Sequence, residues 1–99
     1  MLIVSGTLTI DPADAPKLAA AATTMMAETL KETGCHQYVF SQSMADPSKV
    51  QIFEMWQSDE ELAAHFEMPH MADFRGALAD VNVTSREIYK YEVDNMSKL

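Results

Sequence analysis

Several kinds of residue are scarce in this 99-residue chain, and each shortage excludes a class of protein. The one cysteine, Cys35, excludes an internal disulfide and a zinc site built from several thiolates. No apolar run approaches the ~20 residues that cross a bilayer, and no basic segment followed by an apolar one marks a secretory signal. Seven basic residues stand against fifteen acidic ones, without a basic stripe, so we expect binding neither to nucleic acid nor to an anionic membrane. A cytoplasmic location is therefore the expectation.

The remaining composition is that of a folded domain with an acidic surface. Hydrophobic residues make up 47% of the chain and charged residues 22%, which excludes intrinsic disorder. At this length, and without a linker or an internal repeat, we expect a single domain over residues 1–99. The formal net charge of −8 favours a neutral or weakly anionic small molecule, or another protein, as the partner.

The hydrophobic pattern predicts four strands and three helices in the order β-α-β-β-α-α-β. Apolar residues alternate with a period of two over residues 2–10, 36–44 and 81–93, and residues 49–57 are apolar on both faces; these four stretches are the predicted strands. Asp11 is placed to cap the first helix, and Gly34 to end it. Ser58 and Glu61 form the pattern of a capping box before the second helix, and Pro69 opens the third.

This order of elements is that of a ferredoxin-like α+β fold, in which helices cover one face of a four-stranded antiparallel sheet. The pattern predicts that one face of the last strand carries Val81, Val83, Tyr89, Tyr91 and Val93. The sheet face opposite the helices would be apolar and exposed in a single chain, and such a face marks an interface. We therefore expect a homodimer joined through this sheet face.

The residues best suited to chemistry follow the third predicted strand. His65 is the expected catalytic group, because an imidazole exchanges protons near neutral pH, and Glu61, one helical turn earlier, would orient it. The residues expected to line a small-molecule cavity beside it are Trp56, His70, Tyr38, Phe40, Phe66 and Phe74. Each has a structural alternative, which is core packing for the rings and a helix-end hydrogen bond for the histidine.

Cofactor sites find little support in the sequence. A metal site built from Glu61, His65, His70 and Asp73 would lack the spacing of known helical metal motifs. No glycine-rich loop is present to cradle a phosphate. We predict no metal and no nucleotide cofactor.

Three stretches resemble the antibiotic biosynthesis monooxygenase family of dimeric α/β barrels, which includes the quinol monooxygenases. They are residues 32–38, residues 53–58 and, most specifically, His65-Phe66-Glu67-Met68-Pro69-His70-Met71. The likeness follows most of the chain in order. The resemblance implies a cofactor-independent monooxygenase that oxidises a quinol-like or polycyclic phenolic small molecule with O₂. It also implies that His65 acts as a base or stabilises an anion, and that Trp56, Tyr38 and Phe74 form ring walls.

Two alternatives to this function stay open. Some members of the superfamily have no established activity, so a non-catalytic dimer that binds a small molecule fits the same sequence. Haem-degrading relatives share the fold and use an asparagine on the first strand. Here residues 2–7 read Leu-Ile-Val-Ser-Gly-Thr, without an asparagine, which argues against haem degradation.

Overall fold

A computed structural model describes all 99 residues and has the α+β ferredoxin-like architecture predicted from the sequence. Its elements are β1 (Leu2–Ile10), α1 (Ala15–Thr29), β2 (Cys35–Gln42), β3 (Lys49–Trp56), α2 (Asp59–Phe66), α3 (Pro69–Leu78) and β4 (Val83–Glu92), with a 3₁₀ turn at Pro12–Asp14. The strands form one antiparallel sheet in the order β2-β3-β1-β4. No helix combines the length and the apolar character needed to span a membrane.

The ends of the helices follow local chemistry. The Asp11 carboxylate accepts a hydrogen bond of 3.0 Å from the Ala13 amide, so Asp11 caps the 3₁₀ turn that leads into α1 and not α1 itself, whose N-cap is Asp14. Gly34 has φ +80°, a left-handed conformation that turns the chain into β2. The predicted capping box is wrong in detail, because the Ser58 hydroxyl bonds the Glu61 carboxylate and no backbone amide.

The core lies between the helices and the alternate residues of the strands that face them. In the antiparallel register, Leu2, Leu8 and Ile10 of β1 share this face with Trp56 of β3 and are at most 4% exposed. Gly6 occupies the middle of β1 on the same face. A Cβ atom there would lie 2.0 Å from the Glu87 carbonyl oxygen, so only glycine lets the β4 backbone approach so closely.

The face predicted for the last strand was wrong because its register shifts. Thr9 pairs with Ser85, but Ile10 pairs with Val83, so one residue of β4 is left over. Val83 therefore packs against the core, and Val81 before it is buried there. Tyr89 and Tyr91 lie on the opposite face, with the side chains of Ser5 and Ile3.

The face of the sheet that the helices leave uncovered carries a contiguous apolar patch. Its side chains neighbour one another across the ladder and are Ile3, Val39, Phe53, Tyr89 and Tyr91. Val39, Tyr89 and Tyr91 are 44%, 59% and 51% exposed in the single chain. Clustered exposure of this kind is typical of a protein–protein interface.

Candidate active site

A cavity of about 500 Å³ lies on the helix side of the sheet, beneath α3. Its wall is mostly apolar, and the structure places on it four of the predicted ring residues, namely Tyr38, Phe40, Phe66 and Phe74. The rings of Phe40 and Phe74 meet edge to face at 5.3 Å, and those of Tyr38 and Phe40 lie 5.7 Å apart. A cavity of this size and lining suits a flat, largely apolar small molecule.

One acidic side chain, Glu54 of β3, lines this cavity. It is 8% exposed, and its Oε1 accepts a hydrogen bond of 2.9 Å from the indole N–H of Trp56. Burial, together with the negative charge of Glu32, raises the pKa of Glu54 to about 7, although the Trp56 bond opposes the rise. A carboxyl group with such a pKa can exchange a proton with a bound ligand near neutral pH.

Tyr38 of β2 lies directly opposite Glu54 in the sheet. Burial, followed by the charge of Glu54, raises the pKa of the Tyr38 hydroxyl above its ordinary value, so the phenol keeps its proton at neutral pH. The cavity wall therefore places a phenol near a carboxyl group that titrates near pH 7.

His65 lies behind the cavity wall and not on it. Its ring centroid is 4.9 Å from that of Trp56 and 5.3 Å from that of Tyr38, and the side chain is 1% exposed. Trp56 itself is completely buried. None of His65, His70 and Trp56 lines the cavity, although His65 and Trp56 pack against residues that do. The structure thus brings the predicted site residues together, but the carboxyl group that lines the cavity is that of Glu54, and His65 lies behind it.

Glu32 holds both histidines of this region. Its Oε2 lies 2.8 Å from Nδ1 of His65 and 2.7 Å from Nε2 of His70, and its side chain is 6% exposed. With Glu32 as a carboxylate, both of these imidazole nitrogens are donors. The expected partner of His65, Glu61, bonds Ser58 instead. The prediction that Glu61 orients His65 was therefore wrong.

These three side chains are also the one group in the chain whose donor atoms could hold a metal ion. The carboxylate oxygen and the two imidazole nitrogens lie within 4.8 Å of one another. The Glu32–imidazole distances are those of hydrogen bonds, which account for the arrangement by themselves. The four residues considered from the sequence share only His65 and His70 with this group.

A second cavity, of about 240 Å³, lies between α1 and the strands β2 and β3. Its lining includes Leu18, Ala22 and Met26 and contains no titratable side chain. Because it offers no group that could move a proton, we assign the candidate site to the larger cavity.

Sequence reasoning missed Glu54 and Glu32. Glu54 could have been found from the sequence, because it lies on the same face of β3 as the buried residues Ile52 and Trp56. A carboxylate on a buried strand face is rare and often marks a functional site. Glu32 lies 33 positions from His65, in a connection without hydrophobic periodicity. No local pattern could have linked the two.

Comparisons with known proteins agree with this architecture. The family model described as antibiotic biosynthesis monooxygenase matches residues 1–77. The Escherichia coli protein YgiN, named as a probable quinol monooxygenase, is 36% identical over 54% of this chain, and the Synechocystis protein sll1783 is 24% identical over 93% of it. The matched regions span 64% and 63% of these two relatives. The crystal structure of a candidate antibiotic biosynthesis monooxygenase from Deinococcus radiodurans superposes with a TM-score of 0.89 at 27% sequence identity. The superposition covers 100% of this chain and 98% of the Deinococcus chain.

Proposed function

Because the chain belongs to the antibiotic biosynthesis monooxygenase family, we propose that it oxidises a flat phenolic or quinol-like molecule with O₂ and without a bound cofactor. The observation that carries the proposal is the ring-walled cavity with Glu54, whose pKa of about 7 suits a proton acceptor. The name of the relative YgiN supports a quinol-like substrate class. The substrate would lie between the rings of Phe40, Phe66 and Phe74.

The chemistry asks little of the protein beyond binding, proton transfer and the exclusion of water. Glu54 takes the proton from a phenolic hydroxyl, and the resulting anion gives one electron to O₂. The ring radical and superoxide combine into a carbon–oxygen bond, and Glu54 returns the proton to give a hydroperoxide. The carbon that bears the hydroperoxide also carries one hydrogen, and loss of water across the two leaves a carbonyl. Counted from the keto tautomer of the phenol, the net change at this carbon is CH₂ + O₂ → C=O + H₂O.

The side chains behind the wall would keep this carboxylate in place. The indole N–H of Trp56 fixes Oε1 of Glu54, and the Trp56 ring packs on His65. His65 is the second candidate for the proton acceptor, since its ring packs against both Tyr38 and Trp56. Its burial places it one layer from the ligand, so we give the first role to Glu54.

Oxygen uptake tests the proposal. We expect the purified protein, dialysed against a chelator, to consume one O₂ for each anthrone or reduced naphthoquinol that it converts, at a rate above that of heat-denatured protein. Anthrone oxidised in heavy-isotope O₂ should carry one labelled oxygen atom in the product.

Two results would count against this function. Tight retention of these compounds without oxygen uptake would favour a non-catalytic binding dimer. A Soret band on titration with hemin, together with oxygen uptake that depends on hemin, would favour haem degradation.

We also propose that two chains associate through the uncovered sheet face. The apolar patch of Ile3, Val39, Phe53, Tyr89 and Tyr91 is contiguous, and a second copy of the same patch would cover it. Burying it would add to the modest core that a chain of this length provides.

Tyr89→Glu tests the association. In sedimentation equilibrium we expect the wild type at twice the chain mass of 11.0 kDa, and the variant to dissociate at a protein concentration higher by at least about tenfold, because a charge would be buried without a partner. Ser85→Glu, on the same strand and face but outside the patch, should leave the mass unchanged. A wild type that sediments at 11.0 kDa contradicts the proposal.

A further inference from the structure

Both arginines of this chain line the candidate cavity. Arg75 comes from α3 above it, and Arg86 from β4 on the sheet beside it. No other cationic side chain lines it. In a protein of net charge −8, the wall of this one cavity therefore concentrates positive charge.

Neither arginine has a carboxylate partner. No Asp or Glu oxygen lies within 4.0 Å of either guanidinium, although the chain contains fifteen acidic residues. Three of the five lysines, Lys17, Lys31 and Lys90, do form ion pairs. Arg75 donates one side-chain hydrogen bond of 3.0 Å to the Phe66 carbonyl oxygen, and the Arg86 guanidinium makes no hydrogen bond within the chain. The Arg86 guanidinium is thus free to bind an anion and Arg75 keeps further N–H donors; both side chains are exposed, and the fork of donors matches a carboxylate.

Arg86 and Glu54 lie at opposite ends of the cavity. Glu54 is opposite Val4 of β1, whereas Arg86 is opposite Leu8, and β1 separates their two strands. At about 3.3 Å per residue and about 4.8 Å per strand, their Cα atoms are on the order of 16 Å apart. Because side chains on strands stand roughly perpendicular to the sheet, this separation is largely kept between the two charged groups and suits a planar ligand of about two fused rings.

We propose that the ligand of this cavity is an aromatic hydroxy acid, a planar ring system with a hydroxyl group at one end and a carboxylate at the other. The carboxylate binds Arg86, Arg75 adds a second positive charge to the same cavity wall, and the hydroxyl meets Glu54. The hydroxyl end rests on the proposed function, but the carboxylate end rests only on the two unpaired arginines. The apolar rings between the ends contact Phe40 and Phe74.

Binding of two matched compounds tests the carboxylate end. By isothermal titration at neutral pH, we expect 6-hydroxy-2-naphthoate to bind at least about tenfold more tightly than its neutral methyl ester, because a charge-assisted bond adds to the same ring contacts. Arg86→Gln should reduce this preference to less than about threefold while leaving the affinity for the ester unchanged. Lys90→Gln removes the same charge from the same strand outside the cavity and should keep the full preference.

Either of two results would overturn the inference. One is equal binding of the acid and the ester by the wild type, and the other is an unchanged preference in Arg86→Gln. The test does not depend on catalysis. If the protein prefers the acid but consumes no O₂, this inference stands and the proposed activity fails. If it consumes O₂ but shows no preference for the acid, the proposed activity stands and this inference fails.

Discussion

Replacing Glu54 by glutamine should reduce oxygen uptake by about 100-fold or more, because loss of a general base removes an effect of that size. The amide has the shape of the carboxyl group and keeps an oxygen for the Trp56 N–H, so the cavity should stay intact. In the wild type the rate should rise with pH through about 7, as Glu54 becomes ionised. The variant should lose that rise. Initial rates measured from about pH 5 to about pH 9 check both expectations.

The same substitution should make the protein more stable at alkaline pH. The pKa of Glu54 is raised from 4.5 to about 7, so between these values the unfolded chain binds fewer protons than the folded one. The contribution of Glu54 to stability is therefore full below about pH 4.5 and is lost as the pH rises through about 7. The loss is on the order of 3 kcal/mol, and Glu54→Gln should not suffer it. Urea unfolding at about pH 5 and at about pH 8 measures the difference.

Glu60→Gln is the matched control, since it removes the same charge from an exposed position on α2. It should change neither the rate nor the dependence of stability on pH. A Glu54→Gln variant that keeps most of its oxygen uptake would remove Glu54 from the mechanism. If His65→Gln then loses the uptake, the proton acceptor is the imidazole. If Glu54→Gln, but not Glu60→Gln, lowers the rate of oxygen uptake and raises stability at alkaline pH, then the folded protein holds Glu54 in its charged form at a cost in stability.

The features of the fold that could be predicted are those that leave a pattern of apolar and polar side chains in the sequence. The alternation in β1 places Leu2, Leu8 and Ile10 on one face, because a buried face requires a period of two. The bulge between β1 and β4 is a shift of the backbone pairing register. It leaves Val83 and Tyr89 in the same odd-numbered series while it turns them to opposite faces. The side-chain pattern alone could not reveal it.

The candidate site divides in the same way. The rings on its wall could be predicted, because aromatic residues on a covered strand face, such as Tyr38 and Phe40, enclose a cavity wherever the helices do not fill it. The partner of His65 could not. Sequence spacing favours Glu61, which is one helical turn away, whereas the folded chain places Glu32, from the turn between α1 and β2, beside His65. Long-range contacts of this kind arise from packing and leave no mark in local spacing.

Replacing Glu32 by alanine should therefore destabilise the protein far more than the same change at Glu61. Without the carboxylate, the facing N–H groups of His65 and His70 lose their shared acceptor in a site that is largely closed to water. Each buried donor without a partner costs about 1–3 kcal/mol, so the total loss should be about 3 kcal/mol. For a domain of this size, that lowers the melting temperature by roughly 12–24 °C. Calorimetry at neutral pH measures the change.

Glu61→Ala is the control, because sequence spacing favours Glu61 as the partner of His65 whereas the structure shows Glu32 in that role. Glu61 bonds only the Ser58 hydroxyl, so its loss should cost less than about 1 kcal/mol. Glu32→Gln should fall between the two, because its carbonyl oxygen can still accept from both imidazoles. Its amide would replace Oε1, which has no partner even in the native site. If Glu61→Ala unfolds as readily as Glu32→Ala, or if Glu32→Ala keeps the native melting temperature, Glu32 does not hold the two histidines together.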